Sequence, residues 1–492
     1  MRFVLSVLGL LCCAGAAWAE PRITPVDCAT LTAMPAGARA ECGYLHVQEN
    51  RANPASREIA IPYLRAKSTS AHPAPDPLII MTGGPGDRAI HGEYIEGTSP
   101  LAHRDVIWFE QRGTALSQPA LPCPEWDAAG RRGAIGEVNA AVLARALIAA
   151  GRTCAARART QGADLSGYTS REIAADIEDL RRLLGFARVN LYGVSYGGRV
   201  VVEAARDYPG SVRSVFLNTP LPIEANYDEY ANANMRRSLD MVFDGCATDP
   251  VCARAFPNIR TQFARIIANA NTHPRQINVA DGDAQVSVRV DGRVLASALL
   301  GQLYAPFTFE VLPRTIDAID RGDEGALKGL IGIGGSGNAQ LMRLAVWCNE
   351  EYPFENTQAI ARQISDYPEF SGVDEANVPI GACEAAGFGD VHPPVAENAP
   401  ASIDTPVFIV SGAFDPATPP AWASAMAAHM SHAQQAIFPA GGHGSGFYYP
   451  CAWTLLDAFL NDPSKPVDSA CVFTLRSADF ARSASPPDNE AR

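Results

Sequence analysis

The pentapeptide Gly193-Val194-Ser195-Tyr196-Gly197 sets a serine between glycines, and Asp415 and His443 follow it in the chain. A serine hydroxyl is a weak nucleophile at its own pKa and needs an adjacent base. A histidine can take the proton during attack and return it to the leaving group. An aspartate can hold the imidazole in the required tautomer and stabilise its charged form. The three residues therefore predict acyl transfer to water, with Ser195 as nucleophile, His443 as general base and Asp415 as its orienting acid. The tetrahedral intermediate also needs donors aimed at its oxyanion. The backbone N–H of Tyr196 is one candidate. Gly84, with neighbouring Gly83 as the alternative, is the other, because small residues let backbone N–H groups point inward. This chemistry calls for no metal and no organic cofactor.

Such a serine has meaning only between a strand and a helix, where a sharp turn exposes the hydroxyl. The sequence supplies that frame. Ala187–Tyr192 reads as a strand and Gly197–Asp207 as a helix. Short apolar runs bounded by turn signals are the pattern of buried parallel strands. Pro77–Met81, Asp105–Phe109, Ser211–Asn218, Thr405–Ser411 and Gln435–Phe438 fit it, and Gly43–Gln48 and Glu58–Leu64 read as strands around an Asn-Pro turn. Helices are predicted over 137–160, over Arg171–Leu184 with Thr169 or Ser170 as cap, after Pro420, and over Cys451–Leu460. Asp415 and His443 each fall just beyond a strand, where open α/β sheets gather their active sites. The expected fold class is α/β: a mostly parallel central sheet with helices on both faces and an inserted, mainly helical cap. The expected organisation is a core over 20–221, a cap over 222–400, a second core segment over 401–476 carrying Asp415 and His443, and a flexible tail over 477–492.

Residues 1–19 read as a signal peptide: Arg2, the apolar run Phe3–Leu11, and Ala17-Trp18-Ala19 as a cleavage site. That implies an exported chain, periplasmic or extracellular. Of twelve cysteines, Cys12 and Cys13 lie in that leader, which leaves ten. Disulfides are the natural reading in an oxidising compartment. The expected pairing is between neighbours: Cys28–Cys42, Cys123–Cys154, Cys246–Cys252, Cys348–Cys383 and Cys451–Cys471. The net charge of −13 and the lack of a basic run argue against nucleic acid and anionic membrane surfaces as partners.

Two other patterns carry less. Gly332-Ile333-Gly334-Gly335-Ser336-Gly337 matches a phosphate-loop spacing but lacks the strand–helix–strand frame and the following acid. A cap loop is expected there. His429 and His432 are three apart on a predicted helix without further ligands, so no metal site is expected.

The chain resembles the α/β-hydrolase serine peptidases related to prolyl aminopeptidase, especially the secreted tripeptidyl aminopeptidases with their own C-terminal region. The resemblance rests on Thr82-Gly83-Gly84-Pro85-Gly86, on Gln111-Arg112-Gly113-Thr114 with Ser117, and on the Ser195 turn with a further glycine at 198. It continues in Asp415-Pro416-Ala417-Thr418-Pro419 and Gly442-His443-Gly444. The Ser, Asp, His order is also that of α/β-hydrolases. Glu110 stands where the family usually has Asp, and Ala115 where it has Gly. The resemblance implies cleavage of peptides near a free amino terminus, with cap acids holding the ammonium. Trp347-Cys348-Asn349-Glu350 looks like the family's Cys-x-acid segment, which makes Glu350, then Glu351, the candidates for that role. An esterase on the same fold, and a catalytically silent binding protein, are the alternatives.

Overall fold

The computed structural model describes residues 20–484, apart from 96–97, 334–336, 338, 371–372 and 374–377. The predicted leader, residues 334–336 of the Gly332–Gly337 loop and residues 485–492 lie outside the described residues. No described helix is long and apolar enough to cross a membrane.

Nine strands form one sheet. In chain order they are β1 (Arg22–Val26), β2 (Ala40–Gln48), β3 (Glu58–Ala66), β4 (Leu78–Met81), β5 (Val106–Phe109), β6 (Val189–Val194) and β7 (Val212–Asn218). After a hairpin outside the sheet, β8 (Arg275–Asp281) and β9 (Ala284–Val290), come β10 (Val407–Gly412) and β11 (Ala433–Phe438). The sheet order is β1-β2-β3-β5-β4-β6-β7-β10-β11. From β5 to β11 every pairing is parallel, and β1, β2 and β3 add an antiparallel edge. The central strands are buried on both sides, so they read as unbroken apolar runs and still alternate. Ile79, Ile107, Leu191, Val215 and Ile409 face one core. Leu78, Trp108, Tyr192, Phe216 and Phe408 face the other. Helices Ala140–Thr160 and Ser170–Leu183 cover the first face, and Pro450–Asn461 the second. Thr169 caps its helix by accepting from the Glu172 N–H at 3.1 Å, as its sequence position predicts.

Several expectations need correction. The strand β1 and the helix Pro124–Ala134 went unpredicted. The segment between β7 and β10 is mainly helical but contains the β8–β9 hairpin, whose alternation of Ile277, Val279, Val288 and Val290 feeds a separate apolar cluster. Helix Gln340–Glu350 packs into the main core instead, with Leu341, Met342, Leu344, Ala345 and Val346 all buried there. His429 and His432 lie beyond the end of helix Pro420–Ala427, exposed in the turn that leads to β11. Residues 477–484 are packed where a loose tail was expected. Phe480 is buried in the hairpin's cluster, Arg476 and Arg482 pair with buried Glu310, and the Ser483 hydroxyl donates to the Glu310 carbonyl at 2.7 Å. The five predicted disulfides are all present.

Candidate active site

Ser195 sits between the end of β6 and the helix Tyr196–Asp207, with φ of 54°. The glycines around it are steric requirements. A Cβ on Gly193 would lie 2.5 Å from the Gly197 carbonyl oxygen, one on Gly197 2.4 Å from that of Met81, and one on Gly198 2.6 Å from Pro220. Among the described residues only Ser195 and Thr219 are non-glycines at positive φ. Such backbone costs of order 1–3 kcal/mol and gathers at functional sites. Thr219 sits just past β7, where residues 218–221 lace the strand ends together. The Ser195 N–H donates to the Asn218 carbonyl, the Gly444 N–H to Thr219 Oγ1, and the Thr418 hydroxyl to the Thr219 carbonyl.

The structure brings Asp415 and His443 together: His443 Nδ1 lies 2.9 Å and 3.1 Å from the two carboxylate oxygens. Asp415 is fully buried. It accepts from the Ala417 and Thr418 N–H groups and from the Thr418 hydroxyl, which fixes the carboxylate plane. The His443 N–H donates to the Tyr304 carbonyl, and the Tyr304 ring meets the imidazole edge-on at 5.7 Å. Burial alone would depress the His443 pKa. The charge and hydrogen bond of Asp415, with help from Asp87, outweigh it and hold the imidazole above its ordinary 6.5. Burial likewise raises Asp87, against the pull of Arg343 and His443.

Gly83 abuts the serine, since a Cβ there would lie 2.9 Å from Ser195 Cβ and 3.3 Å from its Oγ. Its loop is held by Gln111, which donates to the Thr82 and Gly83 carbonyls and accepts from the Gly86 N–H. In a trans peptide the N–H points opposite the C=O. Tying down those two carbonyls therefore turns the Gly83 and Gly84 N–H groups away from Gln111. The rest of that motif is a brace. Glu110 accepts from the Ala89 and Ile90 N–H groups and the Thr114 hydroxyl, while Arg112 makes a bidentate buried pair with Asp176. Ala115 is exposed, so the family's usual glycine is not required there.

The candidate acids divide. Glu350 is buried with both oxygens occupied: one accepts the Ser170 N–H, and the other lies 2.7 Å from Ser170 Oγ and 3.5 Å from Arg199 Nε. Internal donors thus meet both of its oxygens, where an ammonium ligand was expected. Glu351 pairs with the fully buried Arg199 and meets the Tyr227 backbone. Burial, opposed by Arg199 and aided by Glu350 and Asp228, pushes its pKa up to about 7. Sequence reasoning missed Glu355 and Asp228. Glu355 meets the Asp228 backbone, and burial with the charges of Asp228 and Glu351 pushes its pKa to about 10. Asp228 accepts from the Trp347 indole at 3.0 Å. Arg343 lies over the Trp347 ring and donates to the Gly84 carbonyl at 2.6 Å, so short contacts lead from the acids to the glycine loop. Tyr227 packs edge-on against both Trp347 and Trp422. A cavity of about 200 Å³ opens beside Asp228, with Ile360, Ile364, Phe370 and Val378 in its wall. No sequence signal marks Asp228 or Glu355, because their value lies in proximity across the fold.

Comparison with known proteins gives a consistent picture. Residues 76–253 match the model of the alpha/beta hydrolase fold, and residues 369–471 match that of the TAP-like proteins. Serine protease Hip1 of Mycobacterium tuberculosis is 25% identical over 437 residues, covering 78% of each chain. A probable proline iminopeptidase of Streptomyces coelicolor is 26% identical over 151 residues, 30% of this chain and 34% of its own. The solved proline iminopeptidase of Mycobacterium smegmatis aligns over 82% of this chain and 96% of its own at 16% identity, with a TM-score of 0.40.

Proposed function

We propose, from the premise that this chain is a serine hydrolase of the α/β-hydrolase peptidase families, that it removes residues from peptides with a free amino terminus. In this reading His443, oriented by Asp415, deprotonates Ser195, which attacks the scissile carbonyl and forms an acyl-enzyme. The N–H groups of Tyr196 and of Gly83 or Gly84 receive the oxyanion. Water then repeats the sequence with the acyl group as target.

The observation that carries the amino-terminal preference is the gathering of four carboxylates, Asp228, Glu350, Glu351 and Glu355, with Arg199 and Arg343 among them, near the glycine loop. Carboxylates crowded together raise one another's pKa and favour an added cation. A substrate ammonium beside Glu351, Glu355 and Asp228 supplies it. The apolar cavity beside Asp228 favours an apolar first side chain. The five disulfides support export into an oxidising compartment.

The test is hydrolysis of aminoacyl- and tripeptidyl-anilides, each with a free or a blocked amino terminus, with Ser195→Ala as control. Release from unblocked substrates alone, lost in Ser195→Ala, is the expected result and gives the number of residues removed per cut. Ester turnover with no anilide cleavage would overturn the peptidase reading in favour of an esterase. Inertness towards both would favour a binding role.

A further inference from the structure

The helix Gln340–Glu350 touches both arms of the oxyanion site from opposite ends. At its start, Arg343 Nη1 donates to the Gly84 carbonyl at 2.6 Å, and the N–H of the capping residue Ala339 donates to the Gly86 carbonyl at 3.0 Å. A Cβ on Gly86 would meet Ala339 at 3.1 Å, so the loop lies directly on the helix end. At its last turn, Glu350 holds Ser170, whose Oγ is 2.8 Å from the phenol oxygen of Tyr196. Glu350 also lies 3.5 Å from Arg199, on the helix that begins at Tyr196. Tyr196 supplies one oxyanion donor from its backbone and anchors that backbone through its ring. The helix is itself fixed. Nearly all of it is buried, Cys348 bonds to Cys383, and Asn349 donates to the Leu165 and Tyr168 carbonyls.

We infer that this helix is a brace that sets the spacing between the two oxyanion donors, with Arg343 and Glu350 as positioning residues. The inference rests on the catalytic reading of Ser195 given above. Gln111 fixes the glycine loop from the core side, and the loop meets the serine turn directly where Gly83 abuts Ser195 and Thr82 abuts Gly197. The helix adds the link from the loop to the Tyr196 phenol. Oxyanion donors act when they are in place before charge develops, and a displacement of about 1 Å costs on the order of 100-fold in rate. The brace therefore acts on acyl transfer itself, whatever acyl group is transferred. This separates it from ammonium recognition, which matters only for substrates with a free amino terminus.

The experiment measures the rate of Ser195 phosphonylation by a fluorophosphonate, and kcat and KM for an activated acyl ester and for an unblocked peptidyl anilide. The variants are Arg343→Met, Arg343→Lys and Glu350→Gln, with thermal melting as a check on folding. The expected result is a loss of roughly 10- to 100-fold in phosphonylation rate and in kcat for both substrates. KM for the ester should be unchanged, Arg343→Lys should recover part of the loss, and melting should stay near wild type for at least one of the two positions. Variants that phosphonylate and turn over esters at the wild-type rate would overturn the brace, even if anilide cleavage fell. A wild-type protein that resists the fluorophosphonate would instead overturn the catalytic reading of Ser195.

Discussion

At the scale of single residues, two titrations give the proposed activity its pH profile. His443 must be neutral to accept the serine proton, and its pKa is held above 6.5 by Asp415 and Asp87 against the effect of burial. A raised pKa keeps the imidazole protonated to higher pH. The acid limb of kcat/KM should therefore lie above pH 6.5, and Asp87→Asn should move it downwards. A limb that stays in place in Asp87→Asn would remove Asp87 from the set. The second titration is that of Glu351, pushed up to about 7. Its ionised form attracts an ammonium, so KM for unblocked peptides should fall as pH rises through 7. It should rise again as the peptide amine loses its proton near pH ~8. Blocked substrates should show no such dip. Gly83→Ala tests the geometry directly. Its Cβ would stand 2.9 Å from Ser195 Cβ, so kcat should fall about 100-fold with little change in melting.

At the scale of elements, the buried pair Arg112–Asp176 joins the loop after β5 to the helix Ser170–Leu183, and both side chains are fully buried. Asp176 also accepts from Arg51 at 2.7 Å, so loss of Arg112 removes one of its two cations and should cost less than the ~3–5 kcal/mol of a stranded buried charge. Arg112→Met should lower the urea midpoint by part of that amount, while a midpoint within error of wild type would show that Arg51 alone satisfies Asp176. These elements also show what can be read without a structure. The central strands were legible because burial on both faces leaves apolar runs of the right length between turn signals. The serine turn was legible because three glycines mark where no side chain fits. β1 was not, since its exposed edge carries Thr24 and Pro25 where a buried strand would show an apolar run. The meeting of Asp415 with His443 could be expected from order and loop position. The surroundings of Glu350 could not, because nothing local to residue 350 reveals that Ser170 and Arg199 meet it. Asp228 and Glu355 were invisible for the same reason: Trp347 and Asp228, their respective neighbours, lie more than a hundred residues away in sequence.

At the scale of the whole molecule, the long segment between β7 and β10 is held by covalent and polar links. Cys348–Cys383 closes a loop with a separation of 35 residues and fastens helix Gln340–Glu350 to the segment Ala382–Ala385. Loop-closure entropy for that length is worth ~3–4 kcal/mol. Replacing both cysteines by serine should lower thermal stability and also slow acyl transfer, since the same helix touches the oxyanion loop. A loss of stability without a change in rate would uncouple the two. The last described turn adds another tie. Phe480 lies so close to helix Ala231–Thr248 that a Cβ on Gly245 would come within 2.2 Å of its ring, and Glu310 is held by Arg476 and Arg482. This has a consequence for biosynthesis. The cap cluster around Phe243 is translated more than two hundred residues before Phe480, so at ~5–20 residues per second it waits on the order of tens of seconds for its last side chain. A nascent chain stalled before Phe480 holds this cluster unfinished, and the arrival of that one ring is what fills it.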